Sequence, residues 1–328
     1  MITAIFFTLL GLVLILAGAN MLTDGASAAA SRLGVSDLMI GLTVVAFGTS
    51  APELVISVIA AIQGNAPIAV GNVVGSNIFN ILAIVGITAL VRPIVIKPTV
   101  MTTEVPVVVL SSLVMLALGN TTLIDPDYPD DISRIEGLCM LVVFALFIRH
   151  TLLTARNITP GTVAPPGVSD NKHATQAMSP IKSAIWIVGG LAALIWGGEK
   201  FVDGASSIAS RLGVSDAVIG LTIVAAGTSL PELATSIVAA MKGKPDIAVG
   251  NVIGSCVFNV FFVLATAAVI SPLPFAGITN FDLLTLTLGS MLFLLFGWCY
   301  KERTITRPEG AVLAICYIAY ITGLVINT

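Results

Sequence analysis

The stretch Arg32–Asn80, RLGVSDLMIGLTVVAFGTSAPELVISVIAAIQGNAPIAVGNVVGSNIFN, recurs as Arg211–Asn259, RLGVSDAVIGLTIVAAGTSLPELATSIVAAMKGKPDIAVGNVIGSCVFN. The offset is a constant 179 residues, 32 of the 49 positions are identical, and no insertion separates the copies. Each copy sets one glutamate, Glu53 or Glu232, inside an apolar run, directly after a proline. A carboxylate written twice in such surroundings calls for a chemical reason.

The surroundings are apolar along the whole chain. Hydrophobic residues make up 56% of the 328 and charged residues 10%, with a mean hydropathy of +1.03. That balance excludes an ordinary soluble domain. A bilayer core about 30 Å thick takes roughly 20 apolar residues per helix. Ten such spans are predicted, at 2–20, 37–62, 69–91, 102–119, 135–150, 181–198, 215–241, 248–270, 282–299 and 310–326. The first begins at Ile2 without a preceding basic residue and runs to full length, so it reads as a retained helix rather than a cleaved signal. Cys139, Cys256, Cys299 and Cys316 all fall within spans and share no metal-ligand spacing.

Alternating the loops along ten spans places twelve basic residues on one side: Arg32, Arg92, Lys97, Arg149, Arg156, Lys172, Lys182, Lys242, Lys244, Lys301, Arg303 and Arg307. Only Arg134, Lys200 and Arg211 fall on the other. The positive-inside rule then predicts a multi-pass inner-membrane protein with both termini outside the cytoplasm. Five spans precede the 149–182 linker, so the second copy enters the membrane upside down. The expected fold is therefore an all-α polytopic membrane protein of ten transmembrane helices in two inverted five-helix repeats. Residues 1–150 form the first repeat, with its motif at 32–80, and 181–328 the second, with its motif at 211–259. The Pro- and Gly-rich segment 151–180 reads as a cytoplasmic linker. Inverted repeats are an architecture of secondary transporters, with the substrate site at the midplane between them.

Glu53 lies near the middle of its span, where an ionised carboxylate costs at least ~2.5 kcal/mol on insertion scales. It must be paired, protonated or wet. Among the other acidic residues, Glu104, Glu136, Asp216 and Asp282 are expected near span ends, within reach of the interface. Pro52 and Pro231 lack an N–H, so the carbonyls of Gly48 and Gly227 lose their helical donors and the helix is expected to break beside each carboxylate. On a continuing helix Thr49 and Ser50 would lie one turn before Glu53. The next span adds Asn72, Ser76 and Asn80, and its copy adds Asn251, Ser255 and Asn259, one polar stripe per helix. Asn72 and Asn251 read equally well as helix-packing groups and as part of a site. Gly71, Gly75, Gly250 and Gly254 match a GxxxG pattern for close helix approach. Two carboxylates, hydroxyls, amide oxygens and loosened carbonyls, without an imidazole or thiolate set, suit calcium better than magnesium. Two glutamates balance one divalent cation, and sodium ions competing for the same oxygens supply a basis for exchange.

GTSAPE with GNVVGSNIFN, and GTSLPE with GNVIGSCVFN, closely resemble the two alpha repeats of the sodium/calcium exchanger (calcium/cation antiporter) superfamily, in particular its prokaryotic members. The resemblance covers nearly the whole chain. It implies an antiporter in which sodium entry drives calcium out by alternating access. Carried over by motif, it places calcium and sodium ligands at Thr49, Glu53, Thr228 and Glu232, the threonines through their backbone carbonyls. Sodium ligands fall on the carbonyls of Ala46 and Ala225 and on Ser50, Ser76, Ser229 and Ser255, while Asn80 and Asn259 help to complete the central site. Some relatives carry aspartate at the second of these positions; amides at both leave this site a formal charge of −2. Cys256 stands where the first copy has Asn77, a difference to which no role is attached.

The expected partners are calcium and sodium ions, as transported cargo, and the lipid bilayer. No resident cofactor, nucleic acid or obligate protein partner is indicated, and no nucleotide-binding or nucleophile motif marks an enzyme. The alternatives are a proton/calcium or other divalent-cation exchanger, a passive cation channel, and, from a third class, an intramembrane enzyme using two buried acids.

Overall fold

The computed structural model describes residues 1–123, 125–156, 178–213, 225–299 and 303–327. Helix α1 runs Ile2–Leu33 and stops at Gly34, whose φ of 66° is open to glycine and whose N–H returns to the Ala30 carbonyl. Helix α2, Asp37–Thr49, starts where the Ser36 hydroxyl accepts from the Met39 N–H at 3.2 Å. Helix α3, Ala51–Ile62, leaves α2 at a 48° bend. The long helices α4, Ala66–Val91, and α5, Pro98–Leu118, follow, and then α6, Arg134–Arg156. In the second half come α7, Pro180–Arg211, a helical turn at Ala225–Gly227, and α8, Leu230–Met241. The chain closes with α9, Pro245–Ile270, α10, Asn280–Cys299, and α11, Arg307–Asn327.

Among the described residues, eight helices are long and apolar enough to cross a membrane, and nine if α2 and α3 count as one bent span. The protein is thus an all-helical, multi-pass membrane protein. Of the predicted span 215–241, residues 215–224 lie outside the described residues, as does most of the 151–180 linker. The first and sixth spans are longer than expected: α1 continues past 20 and α7 past 198, each for 32 residues in all. Their later turns carry Asp24, Ser27, Lys200 and Asp203, which lower hydropathy without breaking a helix. At 1.5 Å per residue such a helix is about 48 Å long and outreaches the apolar slab unless it tilts.

These two helices pack antiparallel along a seam of glycines spaced by seven. A Cβ on Gly11 would fall 2.6 Å from the Gly197 carbonyl, one on Gly18 2.7 Å from that of Gly190, and one on Gly204 2.7 Å from that of Ala4. Backbone lies against backbone, the close approach that small residues permit in membranes. Ser183 adds a hydrogen bond from its hydroxyl to the Gly25 carbonyl at 2.7 Å. The outward faces of the bundle, with Phe6, Val13, Ile185, Val188, Ile315 and Ile318 exposed, suit contact with lipid.

Helices α4 and α9 occupy the centre. Both begin at an early proline, where the missing N–H costs nothing. Both pass through a π-helical segment, Phe79–Ile84 and Asn259–Leu264. At one end of the bundle short strands β1, Ile94–Val95, and β4, Thr304–Ile305, pair antiparallel; at another place β2, Asp131–Ile132, pairs with β3, Leu273–Pro274. Near β1 the basic residues gather: Arg92 donates to the Ala240 carbonyl, Arg307 to that of Leu90, and Lys97, Lys242 and Lys244 pair with Asp246, Asp24 and Asp37. Such exposed pairs stabilise little, typically under ~1 kcal/mol each. Five basic residues, Arg92, Lys97, Lys242, Lys244 and Arg307, are engaged in this way.

Candidate ion-binding site

The break beside Glu53 falls at Ser50, whose φ of −86° and ψ of 11° depart from the helix, and its counterpart falls at Ser229, at −93° and 8°. Pro52 and Pro231 sit in the first turn of the helices that follow, so each proline opens a new helix instead of kinking an old one. This changes the geometry expected from sequence. Because the helix does not continue through Ser50, its hydroxyl does not lie over Glu53. It crosses to the other copy.

Ser50 Oγ donates to Glu232 Oε1 at 2.8 Å and lies 2.9 Å from Ser255 Oγ. Ser229 Oγ donates to Glu53 Oε1 at 3.2 Å, and Ser76 Oγ reaches the same oxygen at 3.4 Å. The two carboxylates are therefore held by each other's serine, a reciprocal exchange that brings Ser50, Ser76, Ser229 and Ser255 into one cluster with Glu53 and Glu232. All six are buried. Glu53 Oε2, Glu232 Oε2, Asn259 Oδ1 and both polar atoms of Asn80 are buried without a hydrogen-bond partner.

The helix breaks are braced from α4 and α9. Asn72 Nδ2 donates to the Glu53 carbonyl (3.2 Å) and to Ser57 Oγ (3.0 Å). Asn251 Nδ2 does the same for Glu232 (3.2 Å) and Ser236 (3.1 Å). Both asparagines thus clasp backbone, which favours their packing role over membership of the site. Thr49 Oγ1 lies 3.1 Å from both the Val45 carbonyl and Asn251 Oδ1. The Ala46 carbonyl accepts the Ser50 N–H at 3.0 Å and lies 3.3 Å from Thr49 Oγ1. In the second copy Ala225 opens the helical turn, and the Thr228 side chain lies beside the Glu53 carboxylate. A cavity of about 370 Å³ between α3, α7 and α8 reaches this edge and is lined by Pro52, Pro231, Thr228, Glu199 and Asp203 among others.

Gly250 and Gly254 do let α9 approach closely: a Cβ on either would fall 2.6 Å from a backbone oxygen of α2. Among the described residues, a Cβ on Gly71 would meet the Ile278 side chain at 3.5 Å, an ordinary contact. Two acids differ from expectation. Glu104 and Asp282 are buried rather than interfacial, and each is satisfied locally, Glu104 by the Thr103 hydroxyl and Asp282 by Thr279 and the Tyr320 hydroxyl. One residue of the centre went unassigned by sequence reasoning. Asn77 donates to the Cys256 carbonyl at 3.1 Å and accepts from Asn259 Nδ2 at 3.1 Å, tying α4 to α9. The available signal was its departure from an otherwise repeated polar stripe.

The donors are all oxygens. Among the described residues no group of three or more His, Cys, Asp or Glu side chains gathers to hold a metal. Two carboxylates surrounded by hydroxyl and amide oxygens suit a hard cation.

Fold and site together define a polytopic membrane transporter of small cations. The model of the sodium/calcium exchanger protein family matches residues 3–153 and 182–326, and the chain belongs to that family, whose members are transporters rather than enzymes. The chain is 34% identical over 330 residues to inner membrane protein YrbG of Escherichia coli K12, covering 99% of this chain and 97% of that one. It is 33% identical over 352 residues to the sodium/calcium exchanger MaX1 of Methanosarcina acetivorans, covering 99% of each. A solved structure of the sodium-calcium exchanger NCX_Mj superposes with a TM-score of 0.82 at 31% identity, covering 99% of both chains.

Proposed function

We propose that this antiporter exchanges sodium for calcium, with calcium held between Glu53 and Glu232. The observation that carries the reading is the crossed pair of hydrogen bonds, Ser50 to Glu232 and Ser229 to Glu53, which joins two buried carboxylates in one oxygen-lined centre. No salt bridge reaches either glutamate among the described residues. Their compensating charge must then come from the bathing solution. One calcium ion neutralises both; sodium ions occupying the same oxygens do so in its absence. Thr49 and Thr228 join the glutamates through their carbonyls, and Asn80 and Asn259 complete the central position. Ala46, Ala225, Ser50, Ser76, Ser229 and Ser255 serve sodium. The ions are cargo, so no resident cofactor is involved.

Alternating access fits ten spans in two inverted repeats, 1–150 and 181–328, joined by a cytoplasmic linker, with both termini outside. The helix breaks at Ser50 and Ser229 lie beside the acids, and interrupted helices of this kind are found at the substrate sites of transporters of inverted topology. Protons also neutralise carboxylates, and the absence of a basic partner favours proton/calcium exchange as the second reading.

Liposomes containing the protein, loaded with sodium and diluted into potassium medium, should accumulate radioactive calcium. Accumulation that ignores the sodium gradient and follows an imposed pH gradient would transfer the coupling to protons. Calcium entry with no counter-ion requirement would instead indicate a passive pathway.

A further inference from the structure

The two halves of the polar centre differ at one pair of equivalent positions, asparagine at 77 and cysteine at 256. Asn77 Nδ2 donates to the Cys256 carbonyl oxygen. A carbonyl only accepts, so the Asn77 amide has one permitted orientation, and its Oδ1 faces away from that contact. This oxygen accepts from Asn259 Nδ2. Asn259 is fixed in turn, with its nitrogen toward Asn77 and its Oδ1 buried and unpartnered. Cations take amide oxygen, not amide nitrogen. With its nitrogen committed to Asn77, Asn259 has only its oxygen left to offer a cation.

On the other half the matching clasp on Asn80 would have to come from position 256. A thiol is a weak donor and a weak acceptor, and it lacks the amide's two opposed ends. Among the described residues no geometric hydrogen bond closes on Asn80 Oδ1 or Nδ2, and its side chain meets only the weak Cys256 thiol, so this amide is held more loosely than Asn259. Asn77, Asn80, Cys256 and Asn259 are each at most 1% exposed, which leaves bulk water unable to replace a lost bond.

We propose that Asn77 is a positioning residue that presets the Asn259 oxygen toward the cation, so that one half of the site is preorganised and the other adaptable. The proposal rests on the reading of this cluster as a cation site. Preorganisation of this kind removes the cost of immobilising one side chain on binding, equivalent to about two- to tenfold in affinity.

Calorimetric titration of the purified full-length protein with calcium chloride, paired with transport in liposomes, tests it. Asn77→Leu is expected to weaken calcium binding about two- to tenfold and to raise KM for calcium with little change in kcat. On an Asn259→Ala background the same substitution should change affinity less than about twofold, because the residue it acts through is gone. The exchange variant Asn77→Cys with Cys256→Asn keeps every atom of the pair while moving the clasp to Asn80, and should bind calcium within about twofold of the parent. Additive effects of Asn77→Leu and Asn259→Ala would overturn the positioning role, as would an exchange variant that folds but binds as poorly as Asn77→Cys alone. Absence of calcium and sodium binding by the parent protein would overturn the site reading itself, a separate failure.

Discussion

The α1–α7 seam and the polar centre descend from the same internal duplication, yet each has kept something different. In the seam Gly11, Gly18 and Gly25 match Gly190, Gly197 and Gly204, while most residues between them differ, Leu12 with Leu191 and Asp24 with Asp203 excepted. In the centre nearly every polar side chain is repeated, from Thr49 and Thr228 to Asn80 and Asn259. Backbone packing asks only that a Cβ be absent, and any apolar neighbour fills the rest. A bound ion asks for particular oxygens at particular places. The difference separates a surface chosen by shape from one chosen by chemistry.

The sharpest way to test that division is to keep shape and change chemistry in the centre. Glu53→Gln or Glu232→Gln preserves volume and removes one of the two charges that face a divalent ion. Calcium transport in liposomes should be lost in each variant, while membrane insertion and the melting temperature of the purified protein stay near the parent's. Near-normal exchange by either variant would remove that glutamate from the site.

The converse test changes shape without chemistry. Gly18→Val or Gly197→Val puts a branched side chain where even a Cβ would lie 2.7 to 2.8 Å from the opposite helix. The backbone must move, at a cost of about 1–3 kcal/mol or more. A lower melting temperature and reduced yield of folded protein are expected, with calcium affinity little changed in whatever folds. A valine variant of undiminished stability would show that the seam is looser than its geometry indicates.

A smaller effect is expected from the crossed serines. Ser50→Ala and Ser229→Ala each remove a hydroxyl bonded to the opposite glutamate, a charge-assisted contact of roughly 1.5–3 kcal/mol. Calcium is held mainly by the carboxylates, so the loss should fall on sodium. The sodium concentration for half-maximal exchange should rise about tenfold or more, with a lesser change for calcium.

Much of this was legible in the sequence because duplication doubles the signal. Glu53 and Glu232, the prolines after which they stand and the serines around them announce themselves by recurring. The seam was harder to see, since a glycine every seven residues carries no local chemistry, and α1 and α7 were accordingly cut short at 20 and 198. The crossing of Ser50 to Glu232 was not legible either. Periodicity extends a helix through Ser50, whereas the proline two residues later starts a fresh one and swings the hydroxyl away from its own glutamate. Glu104 and Asp282 were misplaced for a related reason: their position near a helix start implied water, but Thr103, Thr279 and Tyr320 take water's place. Asn77 is hidden from any comparison that weighs identity between the copies, because its importance lies in a difference.

The mildest effect is expected at two residues that look equivalent. Asn72 and Asn251 each donate to the carbonyl of a glutamate and to a serine hydroxyl one turn on, so sequence and hydrogen-bond pattern alike suggest equal importance. Their surroundings are unequal. Asn251 is fully buried and lies within hydrogen-bond reach of the Thr49 hydroxyl, while Asn72 is only partly buried. Truncating Asn251 to alanine takes a donor from the buried Glu232 carbonyl and from the Ser236 hydroxyl, for about 1–3 kcal/mol. At Asn72 water can repair part of the loss, so Asn72→Ala should cost less than ~1 kcal/mol on the same scale. Thermal unfolding of the two variants measures the difference directly. Equal losses would mean that the two copies are braced alike despite their different burial, and that the asymmetry of the centre is confined to positions 77 and 256.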